Sequence, residues 1–337
     1  MLQAVISRYG GPDVFELRER ADPKPGPDEV RIRVRAAGVN FADVLARLGV
    51  YPDAPGLPLV VGYEVAGTID ATGAGVTRLA AGDRVVALTR FGGYADTVTV
   101  PADLAFHAPA ALADTELAAL PVNYLTALVA LHRMANVQAG ETVLLHGAGG
   151  GVGTAAVQLA RLRRAIVIGV ASAGKHEALR AMGVTHLVAP GDDVRSAVLG
   201  ITGGRGVDVA LDPNGGRSFR DSYRLLAPLG RLVMFGASSV APGETRRWLA
   251  VLHTLWTMPR FAPMSLINRN RGVFGLNLAH LWSERREIAS AMESLLEDAS
   301  SGRLAPVVAR TFPLAAVAEA HRFLQQRQNI GKVVLTI

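Results

Sequence analysis

At 337 residues the chain exceeds what one hydrophobic core usually serves, because single cores stop growing near about 250 to 300 residues, so two domains are expected. Half of the residues are hydrophobic and 19% are charged, which excludes a largely disordered protein. There is no cysteine, which rules out a disulfide framework and any thiolate metal site, and the net charge of +6 is scattered among arginines instead of being interleaved with aromatics as a nucleic-acid surface requires.

Residues 1–6 read as a strand, with neither the basic n-region nor the long apolar stretch of a secretory leader. No apolar run reaches the roughly 18 uncharged residues of a membrane-spanning helix, so the cytoplasm is the expected compartment. Short β-rich runs at 29–35, 60–69, 84–88 and 94–100, separated by Gly, Pro and Asp, predict a small twisted barrel or folded sheet. A helix over 40–48 interrupts them, with Asn40 as its N-cap and Phe41, Val44, Leu45 and Leu48 at helical spacing.

From about residue 123 the period changes. Strands at 142–146, 165–170, 185–188, 207–211 and 231–235 alternate with helices at 154–162, 175–182, 194–201 and 219–226, the pattern of a doubly wound parallel α/β sheet. The stretch 246–261 places Trp248, Val251, Leu252, Leu255 and Trp256 at helical spacing, which suits a core or dimer-facing helix, with a membrane-surface helix as the alternative. Helices follow near 284–297 and 314–325. A last strand at 332–337 belongs back in the first sheet, so residues 1–122 with 268–337 are expected to form one discontinuous domain around a nucleotide-binding domain at 123–267.

The strongest local signal is His146-Gly147-Ala148-Gly149-Gly150-Gly151-Val152-Gly153, set between a buried strand and an amphipathic helix. Small residues at Ala148, Gly150 and Gly153 let the backbone turn tightly and approach a pyrophosphate at the helix N-terminus, which makes Ala148, Gly150, Gly151, Val152 and Gly153 candidate cofactor contacts. About 20 residues further on, an acidic residue would hold an unphosphorylated ribose. Here Ser172 and Lys175 stand at the strand end without a carboxylate, so the 2′-phosphate of NADPH is favoured; as an alternative, both residues serve only to cap and solvate the next helix.

The ordered segments Gly38-Val39-Asn40-Phe41-Ala42-Asp43, Arg47-Leu48-Gly49-Val50-Tyr51-Pro52, Gly62-Tyr63-Glu64-Val65-Ala66-Gly67, Gly92-Gly93-Tyr94-Ala95, Asp212-Pro213-Asn214-Gly215-Gly216 and Gly331-Lys332-Val333-Val334 resemble the zinc-independent, quinone oxidoreductase-like branch of the medium-chain dehydrogenase/reductase family. Within it, residues 256–261 and 272–278 look like the VAT-1 homologue group. The resemblance implies a GroES-like catalytic domain joined to a Rossmann domain, NADPH as cofactor, a small apolar quinone or enone substrate, and a homodimer joined edge to edge. Zinc-dependent relatives carry a cysteine where Asn40 stands and a histidine where Tyr63 stands, so zinc chemistry is not expected.

By the same resemblance Asn40 lies beside the nicotinamide ribose, Thr126 contacts the nicotinamide, and Phe235, Gly236, Phe274 and Lys332 complete the candidate cofactor set, with Asn277 near the substrate. Pro190 stands where many relatives place a tyrosine beside the adenosine phosphate, which leaves Ser172 and Lys175 to hold it. Asn40, Tyr51 and Tyr63 are the candidate catalytic groups, since without a metal the charge developing on a substrate oxygen must be met by hydrogen bonds. Glu64 reads as an ion-pair partner and His146 as a buried strand residue. The alternative to an enzyme is an NADPH-binding interaction or membrane-associated factor that uses the 246–261 stretch.

Overall fold

In the computed structural model, which describes residues 1–337, the first strands are β1 (Leu2–Ile6), β2 (Phe15–Glu19) and β3 (Glu29–Val39). β3 shows how the sequence builds this part: Val30, Ile32 and Val34 are buried while Arg33 and Arg35 are exposed, the period-2 pattern of a sheet with one wet face. Helix α1 (Phe41–Arg47) follows, then β4 (Glu64–Thr72), β5 (Arg84–Leu88), β6 (Thr97–Pro101) and β7 (Ala105–His107), and the helices α2 (Asp114–Leu117) and α3 (Pro121–Leu128). The strand expected at 60–69 starts only at Glu64. Gly62 takes a φ of +107°, open to glycine at little cost, and Asp43 captures its N–H at 2.9 Å, so the chain bends there.

The next stretch alternates strictly: β8 (Thr142–His146), α4 (Gly151–Leu162), β9 (Ile166–Val170), α5 (His176–Ala181), β10 (His186–Val188), α6 (Val194–Ile201), β11 (Val207–Asp212), α7 (Arg217–Arg224) and β12 (Leu226–Met234). Two helices, α8 (Trp248–Thr257) and α9 (Pro263–Arg269), lead to β13 (Gly272–Gly275). The six strands lie in the order β10-β9-β8-β11-β12-β13, all parallel, so the direction of winding reverses between β8 and β11, where such sheets bind ligands at their carboxyl ends. The chain closes with α10 (Arg285–Ser300), β14 (Val308–Pro313), α11 (Val317–Gln325) and β15 (Lys332–Thr336). β15 pairs antiparallel with β3, returning the C-terminus to the first sheet.

Two units result: residues 1–125, 243–246 and 279–337, and residues 126–242 and 247–278. The chain re-enters the first unit at Ala279 and not at 268, because β13 pairs with β12 and stays in the second sheet. Each unit has its own core, one around Ile32, Val65, Tyr94 and Val333, the other around Leu144, Ile168, Ala210 and Leu232. The run 114–134 is apolar and long enough to cross a bilayer, yet 67% of its most apolar window is buried inside the protein, as in a core helix. The core reading of 246–261 is overturned. α8 buries Thr254 and Thr257 and exposes Leu249 (83%), Leu252 (60%), Leu255 (58%) and Trp256 (84%), since its polar side faces Ser239 and the Gly216 turn.

Candidate active site

In the second unit the glycine loop leaves β8 at Gly147, whose φ of +68° turns the chain. The small residues are required for different reasons. A Cβ at Gly153 would lie 2.3 Å from the Gly147 carbonyl oxygen and 2.6 Å from that of Ala148, so the fold itself demands glycine there. At Gly150 a Cβ would meet only the Gly147 oxygen, at 3.3 Å, and otherwise project into open space. Gly150 is also the N-cap of the twelve-residue α4 and supplies no side-chain cap, so the first-turn N–H groups at Gly151, Val152 and Gly153 form the positive end of an uncapped helix. A dinucleotide pyrophosphate fits this cradle. Lys175 lies over it, with its Cδ 2.8 Å from where a Gly149 Cβ would be.

Ser172 precedes the turn into α5 without making a side-chain cap hydrogen bond, so capping does not account for its hydroxyl. The acids after β10 are used locally: Asp192 accepts from Ala189 N at 3.2 Å and Asp193 caps α6 through Ser196. At the end of β11 the buried Asp212 accepts from Ser218 Oγ (2.6 Å), Ser222 Oγ (2.7 Å) and Asn214 N (2.8 Å), and Ser222 Oγ lies 3.1 Å from His146 Nε2. His146 is therefore a hydrogen-bonded strand residue, its pKa lowered by burial. Phe235 N donates to the Asp212 carbonyl at 3.2 Å, and Gly236 passes so close to Pro213 that a Cβ would sit 2.8 Å from its oxygen, which pins the β11 and β12 ends together. Thr126 is 7% exposed in α3, and Phe274 is 36% exposed on β13.

In the first unit Asn40 begins α1, but its side chain does not cap the helix. Nδ2 donates to Glu64 Oε1 at 3.0 Å and Oδ1 accepts from Lys332 Nζ at 2.6 Å. Lys332 also pairs directly with Glu64, whose second oxygen accepts from Val122 N at 2.7 Å. Glu64 and Lys332 are 0% and 2% exposed. The Lys332 ammonium is turned inward, enclosed by Glu64, Asn40 and Asn123, and it holds Asn40 in place. Gly38 makes room for the pair, since a Cβ there would lie 2.4 Å from Glu64 Oε1.

Asp43, fully buried, was a residue whose part the sequence did not reveal. It accepts from Asn40 N (2.8 Å), Gly62 N (2.9 Å) and Tyr94 Oη (3.0 Å), which ties α1 to the segment that presents Tyr63, and burial pushes its pKa up to about 7. Tyr63 is 4% exposed, its ring 5.1 Å from that of Phe91 and 6.3 Å from that of Tyr51, and its buried hydroxyl has the Tyr51 hydroxyl as its polar neighbour, outside strict hydrogen-bond geometry. Burial, reinforced by the Asp43 charge, raises the phenol well above its usual pKa, so it is a donor and not a base. Tyr51 is half-buried, with its pKa raised first by burial. The chain has no cluster of three His, Cys, Asp or Glu side chains.

Residues 26–110 match the alcohol dehydrogenase GroES-like domain, and residues 182–335 match the zinc-binding dehydrogenase family. The human synaptic vesicle membrane protein VAT-1 homolog is 39% identical over 334 residues, 98% of this chain and 85% of that protein. The 2-haloacrylate reductase of a Burkholderia species is 36% identical over 345 residues, 99% of this chain and 98% of that enzyme. The structure of Escherichia coli quinone oxidoreductase complexed with NADPH superposes with a TM-score of 0.88 at 29% identity, covering all of both chains.

Proposed function

The chain belongs to the medium-chain dehydrogenase/reductase family and is an oxidoreductase of its quinone oxidoreductase type, and from that premise we propose that it reduces quinones or α,β-unsaturated carbonyl compounds with NADPH and without zinc. The glycine loop carries this reading: at Gly150 the space a side chain would take is left open in front of an uncapped helix end. NADPH, when bound, supplies the hydride. The N–H groups of Gly151, Val152 and Gly153 hold its pyrophosphate, and Ser172 and Lys175 hold the 2′-phosphate, where no carboxylate repels it.

Tyr63 offers its hydroxyl to the substrate oxygen on which charge develops, and Tyr51, whose hydroxyl neighbours that of Tyr63, stands beside it as a second donor. Asn40, fixed by Glu64 and Lys332, orients the nicotinamide end. The proton that completes the reduction comes from Tyr63 or from solvent. The absence of cysteine, with Asn40 and Tyr63 at the positions of metal ligands, supports metal-free chemistry.

NADPH oxidation measured over a panel of quinones and enones tests the proposal, with Tyr63→Phe expected to lower kcat/KM by about tenfold or more. Failure of every substrate to accelerate oxidation overturns it. A second reading, an NADPH-binding membrane-associated factor, is favoured by the outward apolar face of α8. Liposome sedimentation without turnover would select it.

A further inference from the structure

On the second unit, α7, α9 and the connection from α8 enclose a depression of about 690 Å³, a size that suits a small molecule. It lies apart from the glycine loop. That loop sits at the carboxyl end of β8, whereas α7 runs back from the carboxyl end of β11 and α9 ends just before β13 begins, at the opposite end of the parallel sheet.

Four guanidinium groups line it: Arg220 and Arg224 one turn apart on α7, Arg260 after α8, and Arg269 in the last turn of α9. None of the four has a hydrogen-bond or salt-bridge partner in the chain, and no Asp or Glu lines the depression. Like charges one helical turn apart repel, so this concentration of positive charge calls for an anion from outside. Tyr223 is 8% exposed and its hydroxyl is buried without a partner. Its ring packs against Phe261 at 5.1 Å between centroids, and Arg271 lies 5.4 Å from the ring centre. At the rim, Trp256 is 84% exposed, a large aromatic surface left in water.

We propose that this depression binds a polyphosphate with a flat aromatic body, a nucleotide being the simplest molecule of that kind. Guanidinium groups recognise phosphate through paired charge-assisted hydrogen bonds, and Trp256 offers a stacking face for the ring. An apolar molecule would leave four cations unanswered, and a bare phosphate would leave Trp256 unused.

The test is calorimetric titration of ATP, inorganic triphosphate and adenosine into protein saturated with NADPH, so that the glycine loop is already filled. ATP is expected to bind saturably and adenosine not. The double variant Arg224→Gln/Arg260→Gln should weaken ATP by about tenfold or more while NADPH affinity and melting temperature stay unchanged. Trp256→Ala should weaken ATP and leave triphosphate unaffected. The proposal is overturned by absence of saturable ATP binding or by binding indifferent to the arginine pair. It is equally overturned by triphosphate binding as well as ATP with no effect of Trp256→Ala, which would leave a bare phosphate site. Arginine-dependent sedimentation with phosphatidylserine vesicles in the absence of any ATP response would assign the charge to a lipid surface instead.

Discussion

One methyl group placed at two positions of the glycine loop separates the demands of ligand from those of fold. At Gly153 it would run into two backbone carbonyls that cannot yield, so Gly153→Ala is expected to lower stability by about 1–3 kcal/mol, the range for overpacking. At Gly150 it meets a single oxygen at 3.3 Å, a contact that a small local shift relieves, so Gly150→Ala should lose much less melting temperature than Gly153→Ala and weaken NADPH by about tenfold or more. Thermal melts with fluorescence titration distinguish the two; a Gly150→Ala protein that binds NADPH normally would mean the pyrophosphate lies elsewhere. Asp43 makes a second residue-scale forecast. Its pKa in the folded chain, about 7, lies well above the ordinary carboxylate range, so burial favours the protonated form. The stability this contributes is complete below the unfolded pKa and is lost as pH rises toward and through the folded one. Urea melts should therefore show a decline from about pH 4 to pH 7 that Asp43→Asn flattens, even though the variant is weaker throughout because its amide cannot accept from all three donors. A slope unchanged in Asp43→Asn would assign the pH dependence to another group.

At the scale of elements, the turn from β9 into α5 sets cofactor choice. Lys175 lies over the glycine loop from that turn, and Ser172 beside it makes no cap. Lys175→Ala should raise the Kd for NADPH by about tenfold while changing that for NADH by less than about twofold, since one charge-assisted contact to the 2′-phosphate is lost. Parallel titrations check this, and equal losses would remove the assignment. The helix α1 shows how an element can meet a local rule by other means. Asn40 stands at the N-cap, yet the α1 N-terminus is completed by Asp43 reaching back to Asn40 N, which frees the amide of Asn40 for Glu64 and Lys332.

Across the whole molecule, two surfaces lack partners within the chain. β13 is hydrogen-bonded to β12 along one edge only, and α8 exposes Leu249, Leu252 and Leu255. An open strand edge and an apolar patch are the features by which symmetric dimers form. We expect light scattering to give twice the chain mass at micromolar concentration, and Leu252→Asp to shift the population toward monomer. A monomer throughout that range would leave the α8 face to a membrane or another partner.

Much of this was legible in the sequence because it depends on neighbours along the chain. The alternation of Val and Arg in β3, the strand-helix period after residue 123 and the small residues of the glycine loop each report a local backbone requirement, and together with the ordered family motifs they determined the two-part fold and the family. The tertiary structure decided what depends on residues brought together from far apart. Lys332 meets Asn40 across 292 positions and Glu64 across 268, which sets a buried ion pair beneath Asn40. Tyr63 is aimed by a bend that Asp43 imposes from 19 residues away. The outward face of α8 and the arginine depression bordered by α7 and α9 were hidden for the same reason. Helical spacing shows that a helix has an apolar face, but only the packing of Thr254 and Thr257 against the sheet-end loops determines that this face looks into solvent.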